Sequence, residues 1–384
     1  MSQSKPIAVG VHVFAGGMTY GVQQAGFHVE AQMERSTFGV KTVNQRWNVG
    51  VSLAPRWQEW PIVKDAVLVY GNPRCSGFSG LMLGYPHQKN KTRVLSGANA
   101  CQAQDIVDLV SYATQIKTCQ VIIIESVQQL YTSERNRAML DWTVDFLNPR
   151  GYDVTHVLMN AIHHGVPQHR RRYFMVAHRG GPINITWPSI ANESPTIDDV
   201  LRPRWTRQWR AMKVDSARAD YDEDCCAALP RLWGPILPYL PPGRNLNRFA
   251  AENEELLERV SRELHEKWLC RDSDEPFGRF GPYRLVSGRH MGVLAGQAST
   301  FIHPEYDRAL TIGECSALMG WPCIPIGPKP FHQLTKGVVP AAAKWIAAQA
   351  LAYANGVRSH RHLRVVDCTS IKPMEWRIED EKTE

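Results

Sequence analysis

The sequence predicts an α/β protein: a mainly parallel sheet, with a smaller, loop-rich part inserted late in the chain. Three observations support this. Apolar runs alternate with helically spaced stretches as far as about residue 178, the pattern of a doubly wound sheet. The first run, residues 7–14, passes straight into the glycine turn Ala15-Gly16-Gly17-Met18. From Gly180 the alternation stops, prolines and tryptophans increase, and regular pattern returns near His303-Pro304.

The elements follow in order. Residues 7–14 read as the central strand, and residues 21–26 as a short helix closed by Gly26. Glycine lets backbone approach a ligand closely, so strand, turn and helix make a nucleotide-type cradle; such turns also serve packing alone. Val29, Ala31 and Met33 alternate with polar residues in a second strand ending at Glu34. An acid there suits a ribose hydroxyl pair, or is a surface glutamate. Residues 44–61 read as irregular and tryptophan-rich.

Val67-Leu68-Val69-Tyr70 then feeds Gly71-Asn72-Pro73-Arg74-Cys75-Ser76-Gly77-Phe78-Ser79. The turn residues end the strand and leave Cys75 on a loop at its tip, where open α/β sheets bind ligands. A thiol there is a nucleophile if a base or positive field favours its thiolate, and otherwise an ordinary cysteine. The loop that follows, residues 80–98, holds Lys89, Lys91 and Arg93, cations that suit phosphate or a solvated connection.

Ile106, Leu109, Val110, Ala113 and Ile116 mark a helix, and residues 121–124 an apolar strand with Glu125 at its mouth. Desolvation raises the pKa of such a carboxyl and makes it a candidate proton donor; a cap or surface glutamate is the alternative. A helix over residues 133–147 and a strand over residues 151–160 follow. In Arg170-Arg171-Arg172, strand geometry puts Arg170 and Arg172 on one face, suited to an anion or carbonyl oxygen, or on a solvated basic edge.

Residues 201–210 interleave arginines with tryptophans, and residues 278–292 mix glycines with Arg279, Arg284, Arg289 and His290, a surface suited to reading bases. Leu257, Val260, Leu264 and Trp268 form one helical stripe. Thr311 and Glu314 make a capping box opening a helix that ends at Gly320. An alanine-rich helix, residues 341–355, precedes a charged tail read as peripheral.

The bulk numbers agree. With 384 residues, 43% of them hydrophobic, the chain can bury one large core and a smaller one. No apolar run approaches a membrane span and the N-terminus does not read as a signal peptide, so a cytoplasmic protein is expected. Nine cysteines without a CxxC pair suggest free thiols and argue against zinc. A formal charge of +7 is compatible with a polyanionic partner without requiring one.

Taken together, these stretches resemble the DNA (cytosine-5) methyltransferase family. Phe14-Ala15-Gly16 is similar to its S-adenosylmethionine (SAM) loop, Pro73-Arg74-Cys75 to its Pro-Cys loop, and Glu125-Ser126-Val127 to its Glu-Asn-Val segment. Gln168 with Arg170 and Arg172 is similar to Gln-x-Arg-x-Arg, and residues 308–322 to its late capping helix. The family order is kept.

The resemblance implies a Rossmann-like SAM-dependent sheet over residues 1–179, a target-recognition domain over 180–300, a return segment over 301–356 and a tail over 357–384. It implies catalysis by Cys75, Glu125, Arg170 and Arg172. Phe14, Ala15, Gly16, Gly17, Glu34, Pro73 and Lys336 would hold the cofactor. Ser79, Lys89, Lys91, Arg93, Gln168, Arg284 and Arg289 would contact double-stranded DNA. A monomer in a bacterial or phage-infected cell is expected, with no metal and no obligatory protein partner.

Departures are visible. The glycine loop is about two residues shorter than the family's, Arg74 replaces a second proline, Ser126 an asparagine and Gly313 an arginine. Lys336 stands where the family has asparagine. A lysine there would pair with the added carboxylate of carboxy-S-adenosyl-L-methionine, whose product would be 5-carboxymethylcytosine. RNA cytosine methylation and a catalytically silent DNA-binding protein are the other readings.

Overall fold

The computed structural model describes residues 4–75, 77–78, 100–188, 194–201, 226, 231–269, 282–294 and 301–369. Ser79, Lys89, Lys91, Arg93 and the arginine–tryptophan stretch 202–210 lie outside them. The chain forms two compact units: Met1–Gly165 with Arg170–Asn192 and Gly337–Glu384, and Val166–His169 with Glu193–Lys336.

The larger unit is built on an eight-stranded sheet. Its strands are β1 (Ile7–Val11), β2 (His28–Glu34), β3 (Gly50–Leu53), β4 (Ala66–Gly71), β5 (Val121–Val127), β6 (Asp153–Asn160), β7 (Arg171–His178) and an edge strand, Val365–Cys368. The order is edge strand, β6, β7, β5, β4, β1, β2, β3. All pairings are parallel except those of β7, which runs antiparallel to β5 and β6. The architecture is Rossmann-like α/β, as the sequence predicts. Because β7 is reversed, its start meets the ends of its neighbours: Arg172 faces Val127 and Arg171 faces Asn160. Loops after β4 and β5 therefore lie at the same end of the strands as the arginine run.

Helices α1 (Gly17–Ala25), α2 (Val40–Thr42), α3 (Ala100–Gln115), α4 (Gln129–Thr132) and α5 (Glu134–Leu147) connect these strands. β5 is buried along its whole length, which suits its β-branched run. On α3, Ile106, Leu109, Val110, Ala113 and Ile116 pack into one core with Val69, Ile122 and Ile124.

In the larger unit the structure departs from the sequence reading at several points. Helix α1 starts at Gly17, not Gly21, so the glycine turn runs directly into it. Gly21 lies inside the helix because a Cβ there would sit 2.5 Å from both Ala343 Cβ and Pro340 O. β3 orders part of the stretch read as irregular. The tail contributes the edge strand, with Val366 and Cys368 fully buried beside β6. Glu125 lies within β5 rather than beyond its end.

The smaller unit contains α6 (Ile197–Leu201), α7 (Leu246–Glu252), α8 (Glu254–Val260), α9 (Arg262–Leu269), α10 (Ile312–Leu318), α11 (Pro330–Lys336) and a two-strand pair, β8 (Tyr283–Arg284) with β9 (Phe301–Ile302). The edge strand of the large sheet is therefore β10, and the helix Pro340–Ala354, in the larger unit, is α12. Trp233, Ile236, Leu237, Leu246, Leu257 and Leu264 contribute to the smaller core. The expected single stripe is two helices: extended Ser261 separates α8 from α9.

Thr311 and Glu314 form the capping box at α10. This helix packs on α6, and Cys226 bridges Thr311, so residues 301–336 group with the smaller unit. The return to the large unit comes at Gly337 rather than near residue 301. Among the described residues no helix is long and apolar enough to cross a membrane.

Candidate active site

The candidate site grows from the ends of β4 and β5. Gly71 closes β4 where a Cβ would meet Leu109 Cδ1 at 2.2 Å and Val11 O at 2.3 Å, so the turn admits no side chain. Pro73 is buried and Cys75 half-buried. The Cys75 carbonyl accepts from Phe78 N–H at 3.0 Å, closing a turn around the thiol.

Glu125 is 1% exposed. The Asn72 side-chain amide donates to its Oε2, and Arg172 Nε stands 3.2 Å from its Oε1. Burial pushes this carboxyl above the ordinary range; Arg172, Arg170 and the Asn72 hydrogen bond oppose the rise. A partly restrained rise of this kind suits a group that lends a proton and takes it back.

Arg170 is buried and donates from Nη2 to Gly337 O at 2.8 Å. Burial lowers its pKa and the Arg172 charge adds to this, while Glu125 and Cys75 oppose them. Guanidinium groups do not lose their proton in proteins, so this is a costly buried cation, offset in part by Glu125 and Cys75. Arg171 points out to solvent, as the alternation predicts. The structure thus brings Cys75, Glu125, Arg170 and Arg172 together.

The glycine cradle lies at the end of β1. His12 and Phe14 have positive φ, 54° and 57°, uncommon for side-chain-bearing residues. A Cβ on Gly16, whose φ is 81°, would meet Trp47 Cδ1 at 2.5 Å. Trp47 Nε1 donates to Ala15 O at 2.9 Å, and Phe14 stacks on Phe38. Gly17 opens α1. Glu34 closes β2 as expected, but its Oε1 accepts from Phe14 N–H at 2.9 Å and its Oε2 lies 3.5 Å from His12 Nδ1. A strained, glycine-lined loop beside a buried acid fits an adenosyl group.

Lys336 is an exposed residue ending α11. Burial, with the charges of Lys336 and Lys329, pushes His332 down to about 4.

Two expected DNA contacts need correction. Gln168 is fully buried: its amide donates to Leu318 O at 3.3 Å and accepts from Leu294 N–H at 3.0 Å. Arg284 is 4% exposed, donating to Leu237 O at 2.7 Å, to His303 O and to Asp307. Both side chains are spent on holding the smaller unit together. Arg289 is exposed and lines a cavity of about 600 Å³ with Tyr283, His290 and Phe301.

Sequence reasoning missed Asn72, read only as a turn former, and a set of charges between the cradle and the Cys75 loop: buried His12, Asp105 and Asp108 with half-buried Arg35. The one available signal was two aspartates three apart on an otherwise apolar helix face.

The chain is similar to several known proteins. The chain is 26% identical over 200 residues to the type II methyltransferase M.HgiDI of Herpetosiphon aurantiacus, covering 49% of this chain and 59% of that protein. It is 32% identical over 194 residues to the type II methyltransferase M.SacI of Streptomyces achromogenes, covering 50% and 47%. The chain thus spans about half the length of these curated relatives. A solved candidate DNA modification methyltransferase encoded within an E. coli prophage shares the fold, with a TM-score of 0.61 at 16% identity, covering 92% of this chain and all of that one. The model of the C-5 cytosine-specific DNA methylase family matches residues 12–336, most of the length, and the chain belongs to that family.

Proposed function

We propose that the protein is a DNA (cytosine-5)-methyltransferase working through a covalent bond between Cys75 and cytosine C6. The observation behind this is the grouping, at one end of the central strands, of Cys75, buried Glu125 held by Asn72 and Arg172, and buried Arg170. Cytosine C5 is a weak nucleophile. Addition of the Cys75 thiolate to C6, with a proton from Glu125 at N3, turns the ring into an enamine whose C5 can attack an alkyl donor. Loss of the C5 proton and of the Cys75 sulfur, with N3 returning its proton, restores the ring as 5-methylcytosine.

SAM, when bound, supplies an electrophilic methyl group. Phe14, Ala15, Gly16, Gly17, Glu34 and Pro73 would hold it. Arg170 would hold the cytosine O2 as charge builds, and Arg172 steadies Glu125. Chemistry on a base within a duplex requires that base to swing out of the stack. The protein would act on duplex DNA as a monomer in the cytoplasm of a bacterial or phage-infected cell.

Mass spectrometry of nucleosides from duplex DNA incubated with the protein and SAM tests the reading. 5-Methylcytosine is expected from the parent and none from Cys75→Ser; equal product from both would overturn it. Carboxy-SAM in place of SAM tests the alternative donor suggested by exposed Lys336, through a 5-carboxymethylcytosine mass. Folded RNA in place of DNA tests the RNA reading.

A further inference from the structure

Arg74 precedes the nucleophile and stands where the family resemblance expects proline. A proline would fix φ near −65° with no partner needed. Arginine leaves φ free, so something else must hold the loop. Its backbone N–H and Nε both donate to Asp105 Oδ2, at 3.3 and 2.6 Å, and its Nη2 donates to Asp105 Oδ1 at 2.7 Å. This is a two-pronged guanidinium–carboxylate pair with the main chain joined to it. The Arg74 side chain is 57% exposed and that of Asp105 only 2%. The cation can therefore leave into water, whereas the anion cannot be left unpaired cheaply.

Asp105 has a second cation nearby. Arg35 Nη1 stands 3.9 Å from Asp105 Oδ1, and Arg35 Nη2 contacts Asp108 Oδ2. Asp108 Oδ2 lies 3.6 Å from His12 Nε2, and His12 Nδ1 lies 3.5 Å from Glu34 Oε2. Glu34 Oε1 takes the Phe14 N–H of the cradle. Glu34, Asp105 and Asp108 thus alternate with His12, Arg35 and Arg74 in an unbroken line from cradle to nucleophile loop. Burial alone would lower the His12 pKa, but Asp108 and Glu34 raise it to about 9, so His12 carries its charge near neutral pH. A ligand drawing on Glu34 would loosen its hold on His12, leave His12 and Arg35 more to Asp108 and Asp105, and change what Asp105 offers Arg74.

We infer that Arg74 is a positioning residue for Cys75, clasped by Asp105, and that the line of charges through Arg35, Asp108, His12 and Glu34 couples this clasp to the cradle. The coupling rests on the adenosyl reading of the cradle; the clasp does not.

The test is the rate of Cys75 alkylation by iodoacetamide without DNA, read on the Cys75 peptide by mass spectrometry. Without ligand, Arg74→Ala and Asp105→Asn should each change the rate about fivefold or more, and the double variant should add nothing, as for two ends of one contact. Arg74→Lys, which keeps the charge without the fork, should fall between. Additive effects, or none, would overturn the clasp.

With S-adenosylhomocysteine bound, as measured by calorimetry, the parent rate should change about fivefold or more, the lower end of typical coupling between sites. Arg74→Ala should lose that response. An equal response in parent and variant would mean direct shielding of the thiol and would overturn the coupling. No detectable ligand binding would overturn the adenosyl reading and the coupling with it, leaving the ligand-free rates to decide the clasp.

Discussion

Glu125 shows what one buried carboxyl can do. Its pKa is raised by burial and restrained by Arg172, Arg170 and Asn72, so a small change in its neighbours moves it. Glu125→Gln keeps the shape and removes the proton; transfer should fall about 10²–10⁴-fold with DNA affinity retained, read from single-turnover rates and binding isotherms. His12 is a second titrating group, held up to about 9 between Glu34 and Asp108 against an ordinary 6.5. A raised folded-state pKa stabilises fully below about pH 6.5, and that stability is lost as pH climbs through about 9. Urea unfolding should therefore show the parent losing up to about 3 kcal/mol between those limits relative to His12→Gln, by the 1.36 kcal/mol per pKa unit of linkage. Cys75, Glu125, Arg170 and Arg172 were legible because each is a reactive or charged group at the end of an apolar strand or in a turn. Asn72, His12 and Asp105 were not, since their roles come from partners 20 or more residues away.

Whole elements were read more surely than their limits. Apolar and alternating runs gave five of the large sheet's strands, because burial leaves little choice of residue, and the arginine run was read on a sixth. The start of α1 was misplaced because Gly21 resembles a turn residue, while its real constraint is the approach of α12. Gly21→Ala should therefore destabilise, by about 1–3 kcal/mol, where alanine in an open helix would stabilise. Urea titration with an unchanged slope measures it. The edge strand β10 escaped notice since a four-residue run in a charged tail is a weak signal, and only pairing with β6 orders it. Ser261 cut the apolar stripe for a reason that spacing cannot show: its backbone is extended, with φ −163°.

Across the whole molecule, the order of the family motifs identified the chain, and exposure was what the sequence could not supply. Gln168 and Arg284 have the chemistry of base readers, yet both are enclosed by carbonyls and amides of their own unit. Arg289, in contrast, is exposed on the cavity wall. Arg289→Ala should weaken DNA binding and reduce its salt slope by about one if the contact is to phosphate. Arg284→Ala should instead unfold the smaller unit earlier, because four acceptors lose their donor. Filter binding across salt concentrations and thermal melts separate these effects.

The central claim is a transient sulfur–carbon bond to a pyrimidine. Duplex DNA carrying 5-fluorocytosine at the target position blocks release, since fluorine cannot leave as a proton does. After incubation with SAM, intact-protein mass spectrometry should find a one-to-one DNA–protein adduct, and digestion should place it on Cys75. An adduct on another residue, or methyl transfer by Cys75→Ser at the parent's rate, would contradict the account.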